Sequence, residues 1–264
     1  MRPGSGSPAR PSRSPARSAA EPPDASGYDS AVDTRPGDAF PPAGTGASAP
    51  EAADGPEPGP VVAIVPVGTL EGAKSRLGEA LDAEERRDLV TDQLRRTIRA
   101  TNGSAAVLET IVVTPDDDVR AIALAAGARP MRQRGRGLNK GLTEARDDAL
   151  AGGAGAILVV PVDLPLVTVA ALADVLRPLD DPRRPLVVLV PDRHGRGTNA
   201  LLVAPPGAIE FCFGGESRAA HAACAREAGA RLVELLDSPL ALDLDTPEDL
   251  LLLDARHVEP VDAL

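Results

Sequence analysis

The amino-acid sequence predicts a single α/β domain of Rossmann-like type with a mostly parallel sheet, preceded by a disordered N-terminal extension. From Val61 onward, short runs rich in Val, Ile and Leu alternate with longer Ala-, Leu- and Arg-rich runs that have helical periodicity. Strands that alternate with helices are typical of a parallel sheet with crossover helices. The chain has 264 residues, which is enough for one such domain and leaves a surplus.

The surplus lies at the N-terminus. Residues 1–58 consist mainly of Pro, Ser, Ala, Gly, Arg and Asp, without apolar periodicity. Such a segment buries too little apolar surface to offset the conformational entropy lost on ordering. Its first arginines would fit an organellar targeting segment, but acidic residues soon follow and no amphipathic helix does. We therefore predict a disordered extension at residues 1–58 and one folded domain at residues 59–264.

The first half of the domain contains two pairs of a strand and a helix. Val61–Val67 is a continuous apolar run, which predicts a fully buried first strand. Ala83–Ala100 has Leu, Val and Ile on one helical face and is predicted to be an amphipathic helix. Thr110–Thr114 is predicted as the second strand and Asp116–Ala126 as the second helix.

The second half continues the alternation with shorter strands. Its apolar β-branched runs indicate strands, and its Ala-rich periodic runs indicate helices. In chain order the predicted elements are a helix at Leu142–Ala151, a strand at Ala156–Val162, a helix near Thr168, strands at Leu186–Val190 and Asn199–Val203, a helix around Ser217–Ala228, strands at Arg231–Leu235 and Leu240–Leu244, and a helix at Pro247–Leu253.

Composition argues against several classes of protein. A formal net charge of −11 argues against a general nucleic-acid binder, because phosphate backbones require clustered positive charge. The sequence contains no run of about 18 apolar residues, the length that a membrane-spanning helix requires. We therefore expect a soluble cytoplasmic protein with small-molecule substrates. Cys212 and Cys224 have no other Cys or clustered His near them in sequence, which predicts neither a zinc site nor a disulfide framework.

Asp116, Asp117 and Asp118 form an acidic triplet with two interpretations. The triplet could bind a metal, or it could begin the second predicted helix. We favour the helix start, because the N-terminus of a helix has unpaired N–H groups and a positive dipole end that attract carboxylates.

The loop after the first predicted strand is a candidate phosphate site. Val65–Leu77 contains Gly68, Gly72, Lys74 and Arg76 at the carboxyl end of a strand, where α/β sheets bind nucleotides. Its backbone amides and lysine could neutralise a triphosphate, although its spacing differs from that of a Walker A loop. A polar surface loop with solvated charges is an equally good interpretation.

Two acidic residues are candidate metal ligands. Asp163 follows a continuous apolar strand, where a carboxylate could hold a divalent cation against phosphate oxygens; alternatively it is an N-cap or a turn residue beside Pro165. Strand alternation would place Asp243 and Asp245 on one face. The helix start that follows explains Thr246 to Asp249 but not Asp245, which remains a second candidate ligand.

Two glycine-rich segments, Asp192–Leu201 and Phe213–His221, could bind an anion. Their glycine amides, the hydroxyls of Thr198 and Ser217, and nearby arginines could hold a phosphate and a carboxylate. The alternative is a pair of ordinary glycine turns with Ser217 as an N-cap. His221 could either pack in the interior or contact a substrate.

Together these segments resemble the guanylyltransferases of deazaflavin coenzyme biosynthesis, which are related to molybdopterin and sugar-nucleotide nucleotidyltransferases. The resemblance extends over Val61 to Leu253. Each motif is short, but six of them occur in the right order. They are A-K-S-R-L at Ala73–Leu77, G-L-N at Gly137–Asn139, D-L-P at Asp163–Pro165, G-T-N-A-L at Gly197–Leu201, F-G-x-x-S-x-x-x-H at Phe213–His221 and D-x-D-T-P-E-D-L at Asp243–Leu250.

The resemblance implies a nucleotidyltransferase fold and a role for each matching residue. Gly68 stands where relatives often carry a basic residue, which leaves more of the phosphate binding to Lys74 and Arg76. The implied roles are catalysis for Lys74 and Asp163, nucleotide binding for Gly68, Lys74, Arg76, Gly137 and Asn139, binding of a small phosphorylated acid for Thr198, Gly214 and Ser217, and Mg²⁺ binding for Asp163 and Asp245.

The implied reaction transfers GMP from GTP to phosphoenolpyruvate or 2-phospho-L-lactate and releases pyrophosphate. A phosphate monoester is largely dianionic at neutral pH, so no protein base is required. One alternative keeps the fold but uses a molybdopterin-type or sugar acceptor, and the Phe213–His221 motif weighs against it. Another is a non-catalytic nucleotide-binding regulatory module, which the joint presence of Lys74, Asp163 and Asp245 weighs against.

Overall fold

The computed structural model describes residues 59–71, 73–181 and 183–258 of the chain. The extension predicted at residues 1–58 and the loop residue Gly72 lie outside the described residues. None of the helices described is long and apolar enough to cross a lipid bilayer.

The described residues form seven strands and six α-helices, which alternate along the chain except that β6 follows β5 directly. The strands are β1 (Val61–Pro66), β2 (Val107–Thr114), β3 (Arg129–Arg132), β4 (Ala156–Val159), β5 (Leu186–Pro191), β6 (Thr198–Ala204) and β7 (Arg231–Glu234). The helices are α1 (Ala83–Asn102), α2 (Asp117–Ala125), α3 (Leu138–Ala151), α4 (Val169–Leu176), α5 (Ser217–Glu227) and α6 (Pro247–Val258). Short 3₁₀ helices cover Ser75–Leu77, Arg177–Asp180 and Pro239–Ala241.

The strands form one sheet in the order β3-β2-β1-β4-β6-β5-β7. β6 is antiparallel to both of its neighbours, and the other strand pairs are parallel. The predicted α/β class with a mostly parallel sheet is therefore confirmed. Because β6 is reversed, its first residue lies at the edge of the sheet where β1, β4 and β5 end.

Helices cover both faces of the sheet, and the side chains of each strand alternate between them. Leu158 of β4 packs with Leu172 of α4 on one side, while Ile157 packs with Leu142 of α3 on the other. A third cluster around Leu94 joins α1 and α2 to the end of β1. Burial of each of these side chains contributes about 1.5–3 kcal/mol to the free energy of unfolding. Burial on both faces explains why the central strands are continuous apolar runs in the sequence.

Two strands differ from those predicted from the sequence: one predicted strand is not formed, and one strand was not predicted. The strand predicted at Leu240–Leu244 is absent from this described segment. A 3₁₀ helix covers Pro239–Ala241, and after it Leu244 N donates a backbone hydrogen bond to Asp163 O (2.9 Å). The argument that alternation places Asp243 and Asp245 on one strand face therefore fails. β3 was not predicted, because this four-residue edge strand contains a proline and two arginines instead of an apolar run.

Candidate active site at the carboxyl edge of the sheet

The candidate site is built from three separated parts of the chain. The loop with Lys74 follows β1, Asp163 follows β4, and Thr198 begins the reversed strand β6. All three belong to the same edge of the sheet because the directions of the strands bring these ends together.

A buried ammonium group joins the two candidate metal ligands. The Nζ atom of Lys74 lies 3.1 Å from Oδ2 of Asp163 and 2.7 Å from Oδ1 of Asp245. The Lys74 side chain is 9 % exposed, whereas those of Asp163 and Asp245 are 27 % and 39 % exposed. The structure thus brings together two carboxylates that are far apart in sequence, and both still face solvent.

Backbone contacts explain why Asp245 reaches this position without a strand. The side-chain amide of Asn199 donates to the carbonyl oxygens of Leu240 and Ala241, which fixes the 3₁₀ helix against β6. Asp245 N and Thr246 N both donate to Oδ2 of Asp249, which also accepts from the Thr246 hydroxyl. These bonds form the predicted helix start and orient the residue before it.

Asp163 is not the cap of the helix that follows it. The N-cap of α4 is Thr168, whose hydroxyl accepts a hydrogen bond from Ala171 N. The carboxylate of Asp163 instead contacts Lys74. The N-cap interpretation of Asp163 therefore fails. Asp163 lies in a turn, as the other alternative predicted, and its carboxylate contacts Lys74 at the candidate site.

Lys74 adopts an unusual backbone conformation. Its φ of 51° and ψ of 41° lie in the left-handed region, and among the described residues no other non-glycine residue has a positive φ. For a residue with a Cβ this conformation costs roughly 1–2 kcal/mol. Burial lowers the pKa of its ammonium, but the nearby Asp163 and Asp245 outweigh it, so the pKa is raised and Lys74 is a cation at neutral pH.

Asp243 adds a third carboxyl group to the site. Burial raises its pKa, and the negative charge of Asp163 raises it further. Asp243, Asp163 and Asp245 line one cavity of about 430 Å³, together with Thr198 and Ser217. We call this the acceptor-side cavity. Strand alternation predicted Asp243 as a neighbour of Asp245 but gave it no role in the site.

A second, smaller cavity adjoins the first and is called here the donor-side cavity. It has a volume of about 300 Å³ and is lined by Gly68, Lys74 and Arg76 among others. Asp245 lines both cavities, and so does Arg76. Gly68 and Lys74 thus line the donor-side cavity, whereas Thr198, Gly214 and Ser217 line the acceptor-side cavity. Leu138, which lies between the predicted nucleotide-binding residues Gly137 and Asn139, also lines the acceptor-side cavity.

The acidic triplet is a helix start, as predicted, and it also holds the donor-side loop. Oδ1 of Asp116 accepts from the backbone N–H groups of Asp118 and Val119 and caps α2. Its Oδ2 accepts from Leu70 N at 2.9 Å. The other two acids form surface ion pairs with arginines. Asp116 therefore anchors the loop that leads from β1 to Lys74.

Gly137 and Asn139 lie at the start of α3, where Gly137 is the N-cap with a φ of 88°. The Asn139 side chain makes two hydrogen bonds to one backbone residue: Nδ2 donates to Phe213 O (3.0 Å), and Phe213 N donates to Oδ1 (2.9 Å). These bonds tie α3 to the segment that carries Gly214. The contact with a nucleotide base stays a prediction for both residues, and this connection between segments was missed.

The three residues predicted to bind the phosphorylated acid all line the acceptor-side cavity. Thr198 and Ser217 are 7 % and 2 % exposed, and Gly214 has a φ of 156°, which disfavours residues with a side chain. The N-cap of α5 is Glu216, so Ser217 is the first helical residue and not the cap. The N-terminus of α5 therefore faces this cavity, which suits an anion.

His221 lies behind the cavity wall and is fully buried. Its ring contacts the Thr198 hydroxyl and the backbone of Cys212, and the Phe213 ring packs edge-on against it at 4.9 Å. Burial lowers the pKa of His221 to about 4.

Cys212 and Cys224 are free thiols with their Sγ atoms 3.8 Å apart, in agreement with the absence of a disulfide framework.

The carboxylates fit a magnesium ion. Lys74 already shows that Asp163 and Asp245 can contact one positive charge together. Carboxylate oxygens are suitable ligands for Mg²⁺, which binds through one or two carboxylates plus substrate phosphates and water. Within the described part of the chain, no group of three His, Cys, Asp or Glu side chains forms a metal site by itself. An ion here would thus depend on substrate oxygens to complete its coordination.

Comparison with known proteins agrees with this geometry. Residues 61–256 match the family described as "Guanylyl transferase CofC like". A phosphoenolpyruvate guanylyltransferase from Rubrobacter xylanophilus is 45% identical over 74% of this chain and 94% of its own length, and one from Sphaerobacter thermophilus is 44% identical over 72% and 90%.

Solved structures support the fold. A crystal structure assigned to the nucleotide-diphospho-sugar transferases, from Desulfovibrio desulfuricans, superposes with a TM-score of 0.63 at 16% identity and covers 76% of this chain and 89% of its own. At this identity the likeness concerns the fold alone. The match over residues 61–256 and the identity of 45% carry the assignment: the chain belongs to the family of CofC-like guanylyl transferases.

Proposed function

We propose that this protein transfers a guanylyl group from GTP to phosphoenolpyruvate and releases pyrophosphate, with 2-phospho-L-lactate as the alternative acceptor. The observation that carries the proposal is the position of Lys74 between Asp163 and Asp245, where the donor-side and acceptor-side cavities adjoin. The two relatives at 45% and 44% identity, both named for phosphoenolpyruvate, favour that acceptor. The product would be an intermediate of deazaflavin coenzyme synthesis, made in the cytoplasm.

The acceptor's phosphate is itself the nucleophile. A phosphate oxygen attacks the α-phosphorus of GTP, and the bond to the β-phosphate oxygen breaks, so pyrophosphate leaves. With a second pKa near 6, the acceptor phosphate is already largely dianionic at neutral pH and loses no proton to the protein. The protein therefore has to position two anions and offset their repulsion.

Each group of residues has a part in that task. Lys74 and Arg76 neutralise the donor phosphates, and Asp163 and Asp245 would hold Mg²⁺, which supplies positive charge to the phosphate oxygens when bound. Thr198, the amide of Gly214 and the start of α5 at Ser217 hold the acceptor's phosphate and carboxylate.

A pyrophosphate-release assay tests the proposal. The purified protein with GTP and Mg²⁺ should release pyrophosphate with phosphoenolpyruvate, and mass spectrometry should detect the guanylylated acid. The same assay with 2-phospho-L-lactate, a phosphoglycerate and a sugar phosphate ranks the acceptors. Turnover with the sugar phosphate alone would favour the alternative acceptor class, and no turnover with any acceptor would refute an enzymatic role.

Asp163→Asn tests the metal assignment. The change removes one negative charge but keeps the size of the side chain, so we expect turnover to fall at least about 100-fold while the protein stays folded. Circular dichroism and thermal unfolding report the fold. Asp118→Asn is the matched control, because Asp118 lies on the surface and, among the residues described, forms an ion pair with Arg87 alone. Near-normal turnover of Asp163→Asn would contradict the assignment.

A further inference from the structure

A chain of hydrogen bonds runs behind the wall of the acceptor-side cavity. Cys212 N lies 2.9 Å from Nε2 of His221, and Nδ1 of the same ring lies 3.0 Å from Oγ1 of Thr198. Thr198 lines the cavity, whereas His221 is fully buried. The ring thus connects the backbone of the Phe213 segment to the hydroxyl of a predicted acceptor-binding residue.

The chemistry of these groups decides where the ring proton lies. A backbone N–H can only donate, so Nε2 of His221 must accept from Cys212 and carries no proton. A neutral imidazole has one N–H, which is then on Nδ1. The fully buried position disfavours the imidazolium, so the neutral form is the one present. The Nδ1–H group must therefore donate to Thr198 Oγ1.

This assignment fixes the direction of the Thr198 hydroxyl. A threonine hydroxyl can donate once and accept twice, and here its contact with His221 is an accepting one. Among the described residues, no acceptor for the Thr198 proton is found. The hydroxyl proton is thus free to point into the cavity. With the opposite tautomer, Thr198 would donate to the ring and present only lone pairs to an anion, which would repel it.

We propose that His221 is a positioning residue for the acceptor, because it holds the Thr198 hydroxyl as a hydrogen-bond donor to an anionic oxygen of the phosphorylated acid. The inference rests on the proposed function in assigning the acceptor to this cavity. His221 itself touches no substrate. Its ring also packs edge-on against Phe213 at 4.9 Å, and the aromatic side chain of His221→Phe can keep this packing while it loses the bond to Thr198.

Steady-state kinetics with a double-mutant cycle test the coupling. His221→Phe and Thr198→Val should each raise KM for phosphoenolpyruvate about tenfold or more, with KM for GTP changed less than about twofold. The double variant should be no worse than Thr198→Val alone, because both changes remove the same donated bond. Thr198→Ser keeps the hydroxyl and should restore near-normal KM. Additive effects, or an equal rise in both KM values, would overturn the proposal.

A second measurement needs no variant of the buried histidine. Nitrogen-15 NMR of the histidine rings, with His194→Gln and His257→Gln used to assign the His221 signals, should show a protonated Nδ1 and an unprotonated Nε2 at pH 7. A protonated Nε2 would overturn the inference even in an active enzyme. An enzyme with the expected tautomer but no turnover with any phosphorylated acid would instead refute the proposed function.

Discussion

The ammonium group of Lys74 lies where the two carboxylates would also contact a metal ion. Two cations cannot share that position without strong repulsion, so Lys74 and a divalent cation should exclude each other in the free protein. We predict that Lys74→Met binds Mn²⁺ about tenfold more tightly than the wild type without nucleotide, and that its turnover is at least about 100-fold lower. Isothermal titration and the pyrophosphate assay measure the two effects.

Arg76→Met is the matched control for this prediction. Arg76 lines both cavities but forms no ion pair with Asp163 or Asp245 in this structure, so its removal should leave Mn²⁺ affinity unchanged. A Lys74→Met protein that binds Mn²⁺ no better than the wild type would contradict the proposed competition.

His221 should make the protein sensitive to acid. Burial lowers the pKa of this ring from 6.5 to about 4, so between these values the unfolded chain binds a proton that the folded chain does not. The free energy of unfolding should therefore fall as the pH drops from 6.5 towards 4, by up to about 3 kcal/mol from this group. Urea unfolding at pH 7 and pH 4.5 measures the loss.

The same experiment on His221→Phe isolates the contribution of the ring. Several carboxylates with lowered pKa values, such as Asp116 and Asp249, also lose stabilising interactions in acid, and they do so in both proteins. The loss between pH 7 and pH 4.5 should be smaller in the variant, and an equal loss would show that His221 is not buried in neutral form.

For single residues, the sequence predicts which side chains belong to the candidate site better than it predicts which residues they contact. Lys74, Asp163 and Asp245 could be found because each follows a recognisable apolar run or precedes a helix start. The bonds between Asn139 and Phe213 could not, because the two residues are 74 positions apart and their two short motifs do not indicate that they pair in space. The contact of His221 with Thr198 depends on packing in the same way.

Among the elements, α2 has a stabilising role beyond its own length. Its cap Asp116 binds two N–H groups of the helix and one of the donor-side loop, and these bonds together lower the pKa of its carboxyl against the effect of burial. Asp116→Ala should destabilise the fold by about 1–2 kcal/mol and raise KM for GTP, since Leu70 N loses its acceptor. Urea unfolding and steady-state kinetics measure these effects.

Asp117→Ala provides the comparison for Asp116→Ala. Asp117 pairs with Arg120 and Arg132 at the surface and is 71 % exposed, so its removal should cost less than about 1 kcal/mol. Equal destabilisation by the two changes would mean that the capping bonds contribute nothing beyond the acidic charge.

The two errors at the level of elements have different physical causes. Residues 240–244 have leucine at every second position, as a strand with one buried face would, but β6 already has β4 and β5 as its two neighbours, so no position beside it is left. β3 lies at the edge of the sheet, where a short strand with a proline and charged residues is tolerated. Leucine alternation correctly indicates that Leu240, Leu242 and Leu244 are buried. It does not indicate whether their backbone pairs with a neighbouring strand.

For the whole molecule, every residue assigned to the site lies between Gly68 and Asp245, and the family match begins at residue 61. We therefore predict that a chain of residues 59–264 retains kcat and both KM values within about twofold of the full chain. The pyrophosphate assay on the two proteins at equal concentration tests this. A loss of more than tenfold would assign residues 1–58 a part in catalysis.

The reversed strand β6 has a consequence for engineering this enzyme. The donor-side cavity is lined mainly by the loop after β1, whereas the acceptor-side cavity also uses the turn at residues 192–197 that leads into β6 and the segment before α5. Exchanging those two segments with their counterparts from a relative should transplant acceptor preference while GTP recognition is retained. The architecture thus offers two modules that evolution, or a designer, can alter one at a time.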